Sequence, residues 1–67
     1  MKKRYFMKTE NDMTTVYEYF EAEPGEIIPG MTFGEYMRQK QNGKPIATFT
    51  NEWRAEKFIN EMRNKTE

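Results

Sequence analysis

The chain has 67 residues with no cysteine and no histidine, and its eleven basic side chains balance eleven acidic ones. A disulfide framework and a Cys/His zinc site are therefore excluded, although a domain of this length buries only about 60% of its unfolded surface and usually needs such support. The commonest general base and the nucleophilic thiol are excluded with them, so no enzyme is expected, and neither a cofactor nor a metal site. The neutral total conceals a segregation. Residues 10 to 35 hold seven carboxylates and no base, residues 1 to 9 hold four bases, and residues 36 to 67 hold seven bases against four acids.

The basic start runs into Tyr5-Phe6-Met7-Lys8 without an apolar stretch long enough for a signal sequence or a membrane span. A cytoplasmic protein with no membrane partner is expected, and a compact cysteine-free chain suits a bacterial or phage source. Residues 2–8 and 13–22 are rich in aromatic and β-branched types and flank Asn11-Asp12, a pair that tolerates the positive φ angles of a tight hairpin turn. With Asn11 and Asp12 as the turn, Lys2 faces Glu21, Arg4 faces Tyr19, Tyr5 faces Glu18 and Met7 faces Val16. Basic strand then meets acidic strand, and the segregated charge acts as register control.

Glu23-Pro24-Gly25 closes the second strand, and Pro29-Gly30 marks a further turn after Ile27-Ile28. Thr32 and Glu35 form a T-x-x-E capping box, Met31 and Tyr36 stand at hydrophobic-staple positions, and Asn42-Gly43 supplies an exit, which predicts a helix over 33–42. Phe33, Tyr36, Met37 and the stem of Lys40 share one face of it. Ile46 to Thr50 reads as a third strand, and Thr50 or Asn51 then caps a helix to about residue 64, with 64–67 frayed. Ala55, Phe58, Ile59 and Met62 have the spacing of a core-facing stripe.

The expectation is one α+β domain over residues 1–67, in β-β-α-β-α order, with a small three-stranded sheet packed against the C-terminal helix. A right-handed crossover makes strand three parallel to strand two and favours the sheet order 2-1-3 over 1-2-3. Tyr5, Met7, Val16, Phe20 and Ala22 are the expected core beneath the last helix.

The opposite hairpin face carries Phe6, Tyr17 and Tyr19 among Lys2, Arg4, Lys8 and Glu21, and one helix covers only one side of a sheet. Either the 32–41 helix folds over these rings, or a dimer mate or a partner does. Trp53 lies about 160° from Ala55 on the helical wheel, away from the core stripe. It either tucks against Ile27-Ile28 or serves with Arg54 as a contact, since Trp and Arg dominate binding energies.

Two functional readings result. The first is a small non-enzymatic protein-binding module, a regulator or inhibitor of a larger host protein, acting through Phe6, Tyr17, Tyr19, Trp53 and Arg54 with the acidic Glu18 and Glu21; a homodimer is a further expected state. The second is a nucleic-acid-binding module that presents the sheet to DNA or RNA, with Lys2, Arg4, Lys8, Arg38, Lys40 and Lys44 on phosphates. A three-stranded sheet backed by a C-terminal helix resembles the arm-binding domains of some phage integrases, and Phe49-Thr50 followed by Ala55 and Phe58 is similar to their strand-to-helix junction. The resemblance implies DNA binding by fold-level analogy, but those domains are basic and this chain is neutral.

Overall fold

The structure, a computed structural model, describes residues 1–66. Strand β1 (Lys2–Glu10) turns through Asn11 and Asp12 into strand β2 (Met13–Glu21). The two turn residues have φ of 52° and 63°, the left-handed geometry of a type I′ turn, whose twist matches that of the strands it joins. Lys2 pairs with Glu21, Arg4 with Tyr19, Tyr5 with Glu18 and Met7 with Val16, the register expected from charge and turn chemistry.

Helix α1 (Phe33–Asn42) starts at the capping box. The Thr32 hydroxyl accepts the Glu35 N–H at 3.2 Å, and the Glu35 carboxylate accepts the Thr32 N–H at 3.4 Å. Gly43 ends the helix with φ 68° and donates its N–H to Gln39 O at 2.8 Å. Strand β3 (Lys44–Phe49) follows, and helix α2 (Glu52–Thr66) closes the chain. The end of α2 thus lies beyond residue 64, and the expected fraying at Glu67 falls outside the described residues.

The sheet order is β1-β2-β3, with both neighbouring pairs antiparallel. This corrects the expected 2-1-3 order and its parallel crossover. The reason lies in α1, which does not cross a sheet face but returns beside the free edge of β2. Gln39 takes the place of a third-strand residue there: Phe20 N–H donates to its Oε1 at 2.9 Å, and its Nε2 donates to Phe20 O at 2.7 Å. Tyr36 adds a bond from Ala22 N–H to its hydroxyl at 3.1 Å. Gly43 then delivers the chain alongside β2, where Lys44 pairs with Glu18, instead of alongside the basic β1. The register shifts between Val16 and Tyr17, so that Ile46 is the extra residue of β3 and Pro45, which has no N–H to donate, stands opposite Tyr17 on this edge strand.

Helix α2 covers the face bearing Tyr5 and Val16. These two are buried with Ala55 and Ile59, and Met7, Ile46, Phe49, Phe58 and Met62 pack around them. Thr14 is also buried and shares a 3.0 Å hydrogen bond with the Thr9 hydroxyl. The expected core is corrected at its far end: Phe20 is exposed and Ala22 half-buried beside Tyr36, because α2 stops short of the end of β2 that α1 occupies. Among the described residues no helix is long and apolar enough to cross a membrane.

The molecule measures 37 × 26 × 16 Å with a radius of gyration of 13.3 Å, against about 11 Å for a compact domain of this length. Its accessible surface is 5252 Å², where a folded monomer of its mass exposes about 4,500 Å². Roughly 750 Å² of surface is therefore left uncovered beyond the usual share.

Candidate functional site

The residues singled out from the sequence do not converge on one place. Period-two alternation puts Phe6, Tyr17, Tyr19 and Glu21 on the sheet face opposite α2, and Glu18 on the α2 side. Both acids are engaged within the chain. Glu18 sits 3.5 Å from Lys3, and Glu21 sits 3.1 Å from Arg4 and 3.9 Å from Lys40. They therefore secure strand register and the seating of α1, at about 0–1 kcal/mol for each exposed pair.

On the face opposite α2, the Phe6 and Tyr17 rings stack at 5.0 Å and 9°, and Tyr19 tilts against Phe6 at 5.9 Å. The Lys8 ammonium lies over both stacked rings, 5.7 Å from Phe6 and 5.5 Å from Tyr17. Gly43 passes so close that a methyl group on it would come within 2.8 Å of the Phe6 ring. The aromatics are half-buried as a result: the exit of α1 closes over part of them, and the helix itself stands at the sheet edge. Of the six cations proposed for phosphate, Arg4 and Lys40 are drawn to Glu21, and Lys44 stands opposite Glu18 in the β2–β3 ladder, at a position that faces α2. Lys8 lies over the rings, Lys2 stands opposite Glu21 in the ladder, and Arg38 is exposed on α1.

Trp53 does not reach Ile27 or Ile28. It stands 60% exposed in the first turn of α2, and the Arg54 guanidinium lies 5.6 Å from its ring centre. Beside it opens a hollow of about 380 Å³ with Phe49 and Phe58 in its wall and Lys57 and Glu61 at its rim. The two phenyl rings pack at 5.4 Å, so an apolar floor lies next to an exposed indole.

A second apolar region was not anticipated. The turn after β2 and the start of α1 enclose a hollow of about 330 Å³, lined by Ala22, Ile28, Met31 and Tyr36. Ile27 is 86% exposed and Phe33 77% exposed at its mouth. The expected apolar face of α1 is split: Tyr36, Gln39 and Lys40 turn to the sheet, whereas Phe33 and Met37 stay outside and no residue of the helix is buried. No local pattern marked this split, since the sheet face opposite α2 carries Phe6, Tyr17 and Tyr19 and so offered α1 an apolar plane. The Met1 amine is 2.6 Å from the Glu26 carboxylate in this same turn. That hydrogen bond, with a further one from Glu23 N–H, holds the Glu26 pKa below its ordinary value.

The two regions stand at opposite ends of the sheet. Phe49, beside Trp53, pairs with Thr14 near the hairpin turn, and the Ile27 turn departs beyond Glu21, roughly 23 Å further along β2. No family model matches this chain, and no curated protein or solved structure matches it. Among the described residues there is also no group of three or more His, Cys, Asp or Glu side chains placed to hold a metal ion.

Proposed function

We propose that the chain is a small non-enzymatic protein-binding module, a cytoplasmic regulator or inhibitor that docks on a larger host protein with Trp53 as its anchor. The exposed indole carries this reading. It lies under the Arg54 guanidinium and beside a hollow floored by Phe49 and Phe58. Trp and Arg beside a recess with two phenyl rings in its wall is the composition of interface positions that dominate binding energy. Leaving an indole in water forgoes its burial free energy, which a partner surface restores. Arg54 and Lys57 against the single Glu61 give the rim a basic bias, so a host surface with acidic character suits it.

The test is affinity capture from the native host with and without nuclease, followed by calorimetry on the purified complex. Trp53→Ala is expected to keep its far-ultraviolet circular dichroism and lose at least about 30-fold in affinity, which corresponds to the 2 kcal/mol of a dominant contact. Host binding that survives Trp53→Ala and Arg54→Ala would remove the basis of this reading.

One observation favours a second reading, nucleic-acid binding through the sheet. The stacked Phe6–Tyr17 pair with the Lys8 ammonium above it lies on the face that α2 leaves open, and rings beside a cation stack on bases. On this reading Arg4→Glu with Lys8→Glu abolishes binding, and affinity falls steeply with salt. Binding that resists nuclease and salt favours the protein-binding module.

A further inference from the structure

We propose that a second copy of this chain adds to the open edge of β1, antiparallel and centred on Met7, so that two three-stranded sheets join into one. The inference goes beyond the host-binding reading and uses the β1 side of the molecule, whereas Trp53 stands on the β3 side. β1 is an outer strand of nine residues, free of proline and paired with β2 without a break from Lys2 to Glu10. The other outer strand, β3, is blunted, with six residues, Pro45 and a shift of register. Lysines commonly guard such an edge. Here Lys3 reaches Glu18 at 3.5 Å and Lys8 lies over the Phe6 and Tyr17 rings, so both are drawn across the sheet toward β2.

The turn sets which backbone groups of β1 are open. In a two-residue hairpin the closing pair, here Glu10 and Met13, exchanges both of its hydrogen bonds, and every second pair does the same. Lys3, Tyr5, Met7 and Thr9 therefore direct their N–H and C=O groups away from β2. An antiparallel neighbour satisfies them.

Charge selects the register. Two-fold pairings that join outward residues to one another and overlap most of the strand centre between Arg4 and Lys8. Centring on Arg4 or on Lys8 sets that cation against its own copy, centring on Tyr5 sets Lys2 opposite Lys8, and centring on Phe6 sets Arg4 opposite Lys8. Each is a like-charge pair that destabilises a sheet. Centring on Met7 avoids them all, because Arg4 then meets Glu10 and Lys8 meets Phe6. Glu10 makes no ion pair among the described residues. Arg4 gives its Nε to Glu21 and keeps the other N–H donors of its guanidinium for Glu10 of the second copy.

Packing points to the same residue independently. One flank of α2, with Trp53, Arg54 and Lys57, borders Phe49 of β3, so the opposite flank, with Glu56, Asn60 and Arg63, overhangs β1. There a hollow of about 290 Å³ opens beside Met7, the one strand residue in its lining. In the Met7-centred register the second copy's Met7 stands directly opposite, and its flexible thioether chain fills this space, with the reciprocal contact made by symmetry. The interface is isologous. Only the blunted β3 edges are then left, so assembly closes at two copies.

Sedimentation equilibrium of the full chain should give twice the monomer mass. Amide exchange should locate the contact: the N–H groups of Tyr5, Met7 and Thr9 slow as protein concentration rises, whereas that of Thr48 on the β3 edge does not. Glu10→Lys should weaken the dimer at least about tenfold with unchanged circular dichroism, since it sets like charge against Arg4. Adding Arg4→Glu to that variant should restore the dimer, because the exchanged pair is complementary again, an outcome that mere damage to the fold would not give. A wild-type chain that remains monomeric up to about 1 mM overturns the proposal. A dimer that tolerates Glu10→Lys, or one in which exchange at Tyr5, Met7 and Thr9 ignores concentration, overturns it equally. Protection of these amides only when host protein is added gives the edge to a host strand and also overturns it. Trp53→Ala should leave the dimer intact, which separates this outcome from a failure of the host-binding reading.

Discussion

Replacing Gly43 by alanine tests how the exit of α1 is seated on the sheet. Gly43 has φ 68° and ψ 176°, a region that is nearly exclusive to glycine and costs other residues about 1–3 kcal/mol. The added methyl would stand 2.8 Å and 2.9 Å from Phe6 ring atoms and 3.0 Å from Tyr17 Cβ. The Phe6 ring is stacked on Tyr17 and touched by Tyr19, so it cannot swing aside without breaking that cluster, and overpacking of this kind costs about 1–3 kcal/mol. The two strains share one relaxation, so we expect a total of about 2–4 kcal/mol, against a whole-domain stability of about 3–10 kcal/mol. Urea denaturation followed by circular dichroism is the assay, because the exposed Trp53 reports poorly on folding. With a slope of about 1 kcal/mol per molar for so small a domain, the midpoint should fall by about 2–4 M. Gly25→Ala is the control, since Gly25 also has positive φ, 82°, but nothing within 4 Å, and only the backbone cost of about 1–2 kcal/mol applies. A loss at Gly43 no larger than that at Gly25 would refute the argument that this turn presses on Phe6.

Four further outcomes are expected. Tyr5 is buried while its hydroxyl has no hydrogen-bond partner among the described residues, so Tyr5→Phe should raise stability, by up to about 1–3 kcal/mol, and a loss in urea denaturation would mean that the hydroxyl has a partner. Val16 is 0% exposed, and Val16→Ala should cost at least about 1.5–3 kcal/mol in the same assay. Thr32→Ala removes the reciprocal cap of α1 and should cost about 0.5–2 kcal/mol, with faster amide exchange confined to the first turn. The Glu26 carboxyl should titrate below 4.5 when followed by carbon NMR. A depressed folded-state pKa means that its contact with the Met1 amine is fully present above the unfolded value and is lost as pH falls through the folded one; a midpoint at or above the ordinary value would show that the contact does not form.

The elements themselves were legible in the sequence because their causes are local. Asn11-Asp12 specifies the turn, and two residues of turn with alternating side chains leave one register. Thr32 and Glu35 begin a helix wherever the rest of the chain goes, and Gly43 ends it. The i, i+3, i+4 stripe of Ala55, Phe58, Ile59 and Met62 identifies the α2 face that seeks a sheet. The angle of Trp53 to that stripe left two outcomes open, packing against Ile27-Ile28 or exposure as a contact, and only the tertiary structure shows it 60% exposed.

Sheet order and the fate of α1 depend on contacts between residues far apart in the chain, which no local pattern encodes. Whether β3 joins β1 or β2 turned on two hydrogen bonds of Gln39 to the Phe20 backbone and on the exit at Gly43, which starts β3 opposite Glu18 of β2. Those bonds hold α1 at the edge of β2, and from that position it can bury neither Phe33 and Met37 nor the whole of the Phe6, Tyr17 and Tyr19 cluster. The same apolar residues that read as core at helical spacing became surface because the sheet has two faces and α2, with the larger stripe, occupies the one bearing Val16. Burial is a property of the assembled layers; periodicity specifies only which side of an element prefers it.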